Sequence, residues 1–376
     1  MSLFRASIRD LVPYEPGKPV EAVQRELGLE RVVKLASNEG PFPPLPAALE
    51  AIRRLAPELN RYPDGGAWAL RSALAERQGV AFDQVVVGAG ADGIIDLLAQ
   101  ATLDPGDEVV CGWPSFPSYV LSAAKLGAVV RRVPLRDHVY DLDGLLAAVG
   151  PRTKLVYVCH PNNPTGTANG RSELLAFLDR LPGHVLCVLD QAYFEYIDDP
   201  DYADGVALFR EGRRLVVLRT FSKIYGLAGL RVGWAVAPAD VAAATSKVRR
   251  AFDVASCAQA AALASLDDPE EIARRRELNR SGRERLAAIL REHGLEPVEP
   301  AVGNFLFADV GGGRALFERL LREGVIVRPL DGFGAPEAIR VSVGTPEENE
   351  RFAAALTAVQ AAAPAAPGGA AGSAGA

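Results

Sequence analysis

Lysine side chains normally end in water, so Thr220-Phe-Ser222-Lys223, directly after the apolar run Leu215–Arg219, stands out. An amine at a strand end, flanked by hydroxyls, is placed to act as a nucleophile or a base. Eight residues on comes Arg231, within Gly226-Leu-Ala-Gly229-Leu-Arg231-Val-Gly233. The glycines let backbone approach a bound group, and arginine offers phosphate a fork of donors. Upstream, Pro161-Asn-Asn163-Pro164-Thr165-Gly166 follows another strand-like run and reads, on residue types alone, as a turn. Asp190 ends the run Val185–Leu189, with Tyr193 three residues later. A carboxylate there needs a partner, and could equally cap a helix. Gly88-Ala-Gly90-Ala91-Asp92-Gly93 has GxGxxG spacing between a strand and a helix. A dinucleotide loop needs an acid at the end of the next strand. That strand, Glu108–Cys111, runs into Gly112-Trp113-Pro114, and Asp107 and Glu108 stand at its wrong end. The turn therefore reads as a helix N-terminus whose N–H groups hold a phosphate, or as a plain tight turn.

The elements that carry these residues alternate. Strands are expected at Val85–Gly88, Glu108–Cys111, Ala128–Val133, Lys154–Val158, Val185–Leu189, Leu215–Arg219 and Val232–Ala237. Helices are expected at Asp92–Thr102, Ser118–Leu126 and near Ser172–Leu181. Several strands lack polar alternation, as when helices cover both sheet faces. This order predicts an α/β fold with a mostly parallel central sheet. After about residue 240 the texture changes to a long helix, Glu270–His293, and short strands at Phe305–Val310, Val325–Arg328 and Ala338–Val343. The expected division is an arm, 1–34, joining the small domain; a large domain, 35–240; a smaller α+β domain, 241–360; and an Ala/Gly/Pro-rich tail, 361–376, read as disordered.

Composition narrows the function. A chain of 376 residues with 49% hydrophobic and 23% charged residues is long enough for two or three globular domains. The net charge of −6 speaks against a nucleic-acid partner. No apolar run approaches a membrane span, and Met1–Asp10 has no continuous apolar stretch, so a cytoplasmic enzyme is expected. Cys111, Cys159, Cys187 and Cys257 form no CxxC pair and read as buried residues. His138, His160, His184 and His293 are widely spaced, and no metal site is expected.

In this order, the glycine-rich turn, an aromatic at Phe116, Asn-Pro-Thr-Gly, Asp-x-x-Tyr, Ser-Lys and an arginine eight on resemble the fold-type-I aminotransferases that use pyridoxal 5′-phosphate (PLP). Leu35-Ala-Ser-Asn38-Glu39, Asn60-Arg-Tyr62-Pro63-Asp64 and Arg340-Val-Ser-Val-Gly344 narrow the resemblance to the histidinol-phosphate aminotransferase family and its aromatic relatives. It runs from about Leu35 to Pro346. The resemblance implies a large PLP-binding domain and a smaller α+β domain. It also implies that Lys223 forms a Schiff base with the cofactor and moves the proton between Cα and C4′, and that Asp190 pairs with the pyridine nitrogen. Tyr193 and Asn163 would hold the ring oxygen, and Phe116 would stack on the ring. Ala91, Asp92, Thr220, Ser222 and Arg231 would hold the phosphate, and Tyr62 would reach the phosphate of the other subunit, which implies a homodimer with shared active sites. Tyr14, Asn38, Asn304, Arg328 and Arg340 are similar to substrate-pocket positions, the two arginines to anion contacts.

The sequence departs from the family pattern at Gln191, where Glu is usual, at Gly40, where Asn is common, and at Ala91, where Ser is common; Phe116 often is Tyr. These changes bear on affinity more than on reaction type. The resemblance implies ping-pong transamination through pyridoxamine phosphate, between L-histidinol phosphate and 2-oxoglutarate. The alternative donor is an aromatic amino acid such as phenylalanine. A PLP lyase or decarboxylase on the same fold, and a non-catalytic binding module, are the readings from other classes.

Overall fold

The structure is a computed structural model that describes residues 3–9 and 11–362. At its centre is a seven-stranded sheet in the order 85–88, 233–236, 215–220, 186–190, 153–159, 108–113, 129–134. Six strands run parallel, and only Gly233–Val236 is antiparallel to its neighbours. The inner strands are Val-, Leu- and Cys-rich because helices cover both faces; every residue of Leu186–Asp190 and Leu215–Thr220 is buried. Register sets Asp190 beside Cys159 on one side and Leu218 on the other.

A second core gathers the chain's two ends. Val33–Lys34 pairs parallel with Val325–Ile326, and Phe305–Asp309, Ala338–Ser342 and Arg328–Pro329 form an antiparallel sheet. Helix Pro346–Ala361 packs there, started by a reciprocal Thr345–Glu348 capping box. The larger core draws on residues beyond 240 as well. Helices Ala239–Val248 and Ser256–Ala264 bury Val241, Ala242, Ala258, Ala261 and Ala262 in the larger core. Of the tail expected at 361–376, residues from 363 onward lie outside the described residues; Ala361 ends a helix.

Helix Pro269–Glu292 ties the units together. Pro269 at its first position and the Asp268 carboxylate, accepting from Glu271 N–H at 3.1 Å, start it. Its buried Arg275 donates to Ile224 O at 3.0 Å and Pro43 O at 2.9 Å, and pairs with Glu271. Ile224 follows Lys223, so this helix braces the loop that carries the amine. Among the described residues no helix is long and apolar enough to cross a membrane.

Candidate active site

The carboxyl ends of the parallel strands 85–88, 153–159, 186–190 and 215–220 open on one cavity of about 320 Å³. Open α/β sheets bind ligands beyond these strand ends. Ala91, Asp92, Phe116, Asn163, Asp190, Tyr193, Thr220, Ser222, Lys223 and Arg231 all line it. Asn38, Asn304 and Arg340 adjoin through hydrogen bonds. Asn38 Nδ2 donates to Tyr193 Oη at 2.8 Å, Asn304 Nδ2 to Asn38 O at 3.0 Å, and Arg340 Nη1 to Asn163 Oδ1 at 2.5 Å. A larger cavity, about 760 Å³, lies under residues 11–18 and touches Tyr14 and Arg328. The smaller one is where the amine, the buried acid, the two hydroxyls and the Arg231 guanidinium meet. Tyr62 lines neither; it is 81% exposed and stacks on Phe252 at 4.6 Å.

Lys223 opens onto the cavity and is otherwise enclosed, its Nζ donating to Asn38 O at 3.2 Å. That enclosure pushes its pKa down to about 7, Arg340 adds to the effect, and Glu39 opposes it. Asp190 is buried, and burial raises its pKa; hydrogen bonds from Tyr119 and the Ala192 N–H pull the other way. Burial likewise raises the pKa of Tyr193, leaving a neutral hydroxyl.

At the start of helix Gly90–Thr102 the backbone leaves room for a guanidinium. Gly90 sits at φ +76°, and a Cβ there would lie 2.8 Å from Arg231 Nη2. A Cβ on Gly233 would lie 2.5 Å from the Ala91 nitrogen. Arg231 itself is left-handed, φ 53°, a costly conformation for a residue with a side chain. Thr220 Oγ1 lies 3.0 Å from Ser222 Oγ. A helix N-terminus, two hydroxyls and an arginine make an anion cradle.

Arg328 and Arg340 are register partners on adjacent antiparallel strands. Both are buried, and both guanidiniums lie over the Phe333 ring, at 5.4 and 5.3 Å from its centre. Arg328 donates to Glu15 O at 2.6 Å and Arg340 to Ala36 O at 2.8 Å. Among the described residues neither forms an ion pair with a carboxylate, and the Nε atoms of both are buried without an acceptor. Burial pushes Arg340 down to about 10, Tyr193 opposing and Arg328 adding.

Sequence reasoning missed Tyr119 and Phe333. Tyr119 stands one helical turn after Phe116, a spacing that also fits plain core packing; Phe333 sits in a Gly-flanked turn with no pattern to mark it. The departure at Gln191 has a local reason. Its amide donates to Ala203 O at 2.8 Å and Tyr202 Oη at 3.1 Å, while its oxygen accepts from Gly205 N and Arg219 Nη2, each at 3.0 Å. An ionised carboxylate could not donate.

The aminotransferase class I and II family matches residues 30–356. A histidinol-phosphate aminotransferase of Akkermansia muciniphila is 47% identical over 93% of this chain and 96% of its own length. One from Moorella thermoacetica is 44% identical, over 95% and 93%. A crystal structure of the Sinorhizobium meliloti histidinol-phosphate aminotransferase with PLP superposes with a TM-score of 0.85 at 31% identity, covering 96% of this chain and 98% of that one. Thermus thermophilus aspartate aminotransferase gives 0.83 at 27% identity, over 96% of this chain and all of its own. The chain therefore belongs to the aminotransferase class I and II family, in its histidinol-phosphate aminotransferase branch.

Proposed function

We propose that the protein is a PLP-dependent aminotransferase that takes its amino group from L-histidinol phosphate and passes it to 2-oxoglutarate. The observation that carries this reading is the buried pair Arg328 and Arg340, two cations on one aromatic ring that, among the described residues, form no ion pair with a carboxylate. A buried charge demands a counter-charge, and two guanidiniums held by neutral acceptors fit a doubly charged ligand. Histidinol phosphate brings a phosphate, and 2-oxoglutarate brings two carboxylates. Phenylalanine brings one carboxylate, and so is the lesser match.

The cavity residues fit PLP in donor chemistry. Ala91, Asp92, Thr220, Ser222 and Arg231 would hold its phosphate, Asp190 its ring nitrogen, and Phe116 its ring face. Asn163 and Tyr193 would hold its ring oxygen. Asn163 Oδ1 is already taken by Arg340, which leaves the Nδ2 hydrogens as the free donors. When bound, the cofactor supplies an aldehyde that captures the substrate amine and a ring that draws electrons from the substrate's Cα. Lys223 does the proton work. With a pKa near neutrality, its Nζ can accept the proton from Cα and give it back. The hydrogen-bonded chain Asn304–Asn38–Tyr193 fixes the wall beside it. Tyr62, exposed within one chain, reaches the partner subunit's phosphate site in a cytoplasmic homodimer with shared active sites; no nucleic-acid or membrane partner is part of this reading.

Arg328→Gln tests the substrate assignment. It removes a charged donor worth about 10–100-fold in binding. KM for histidinol phosphate should rise by that factor with PLP affinity unchanged. An unchanged KM would remove Arg328 from the substrate site.

A further inference from the structure

Behind Asp190, in the packed wall of the fold, stands a tyrosine. Tyr119, on helix Pro117–Ala124, is fully buried, and its hydroxyl donates to Asp190 Oδ2 at 2.6 Å. Asp190 Oδ1 accepts from the Ala192 N–H at 3.1 Å. The tyrosine ring is held on two sides. It stacks on Tyr157 with centroids 4.5 Å apart and planes 11° apart, and meets Phe116 edge-on at 5.7 Å.

We propose that Tyr119 is a positioning residue that keeps the Asp190 carboxylate ionised and fixes the plane in which it faces the cavity. The proposal rests on reading Asp190 as the partner of the cofactor's ring nitrogen. A carboxylate this deep is driven toward its protonated form, and a neutral acid cannot stabilise a protonated ring nitrogen. The Tyr119 hydrogen bond is the largest influence opposing that drive, ahead of the Ala192 amide and Lys223. The other groups facing Asp190 do not replace it. Asp92 raises the pKa of Asp190. Cys159, Tyr157 and Tyr193 are themselves pushed up by burial and stay neutral. Lys223 helps only while its amine is free and charged. Tyr119 donates from the packed wall of the fold, where its own pKa is raised well above that of a free tyrosine, so it remains a donor throughout.

The test is the pH dependence of PLP binding, read as a dissociation constant by equilibrium dialysis of the full-length protein. Wild type is compared with Tyr119→Phe, Tyr157→Phe, Asp190→Asn and the double variant Tyr119→Phe/Asp190→Asn. The cofactor's own titrations are common to all, so differences report the protein. Tyr119→Phe should move the acid limb of binding upward by about one to two pH units, the range of a hydrogen bond to a charged group. Tyr157→Phe removes from the same stack a buried hydroxyl that has no hydrogen-bond partner among the described residues, and should leave the limb in place. In the Asp190→Asn background, Tyr119→Phe should cost no further affinity. An acid limb unmoved in Tyr119→Phe but lost in Asp190→Asn overturns the role given to Tyr119. A limb unmoved in Asp190→Asn overturns the reading of Asp190 beneath it. An equal shift in Tyr157→Phe reduces Tyr119 to packing.

Discussion

Lys223 answers two demands that pull apart. Burial makes its amine reactive near neutral pH, and the same burial penalises the fold whenever that amine is charged. The folded value is about 7 and the ordinary lysine value 10.5. Between them the unfolded chain carries a proton here that the folded chain has released, so stability rises with pH across the window. Below pH 7 the folded chain bears the whole penalty. Lys223→Met apoprotein should therefore be more stable to urea than wild-type apoprotein at pH 7, with the gap closing toward pH 10.5. Parallel stability curves across that range would show that the amine is not desolvated. The same variant should lose turnover entirely.

At the scale of elements, the inner strands were legible because each is a short apolar run bounded by turn residues; Asp190 ends its strand as expected, and Thr220, expected just after a strand, is that strand's last residue. The ordered motifs likewise marked ten residues that share one cavity. Other elements were hidden for physical reasons. Val33–Lys34 is two residues long, too short for any periodicity, and exists only because Val325–Ile326 pairs with it. The run Val325–Arg328 reads as one strand, yet it divides at Val327 between two sheets. Tyr119 meets Asp190 across 71 residues, which leaves no local trace, and Phe333 sits in a short turn that no periodicity marks. Arg275 belongs with these, a buried guanidinium inside a helix otherwise rich in exposed charge. Arg275→Met should lower stability by about 2–3 kcal/mol, since it strands the buried Ile224 carbonyl and removes the bond to Pro43 O and the pairing with Glu271. It should also loosen PLP retention through the Lys223 loop. A urea midpoint and a PLP affinity both equal to wild type would show that the helix does not brace that loop.

For the whole molecule, Tyr62 and Phe252 form an exposed stacked aromatic pair. Contiguous exposed apolar surface is where another molecule can dock. If Tyr62 completes the partner's site, mixing inactive Tyr62→Ala and Lys223→Ala proteins under subunit exchange should restore activity, since one site of each hybrid dimer keeps both residues. No recovery after verified exchange would confine each site to one chain. The most direct test of the central claim is a single-turnover comparison of amine donors on the PLP-loaded protein, with histidinol phosphate and phenylalanine each at the same concentration. The account predicts that histidinol phosphate gives up its amine about 100-fold faster or more, because only it brings a phosphate to the arginine pair. Faster transfer from phenylalanine would contradict the assignment of Arg328 and Arg340 to a doubly charged substrate.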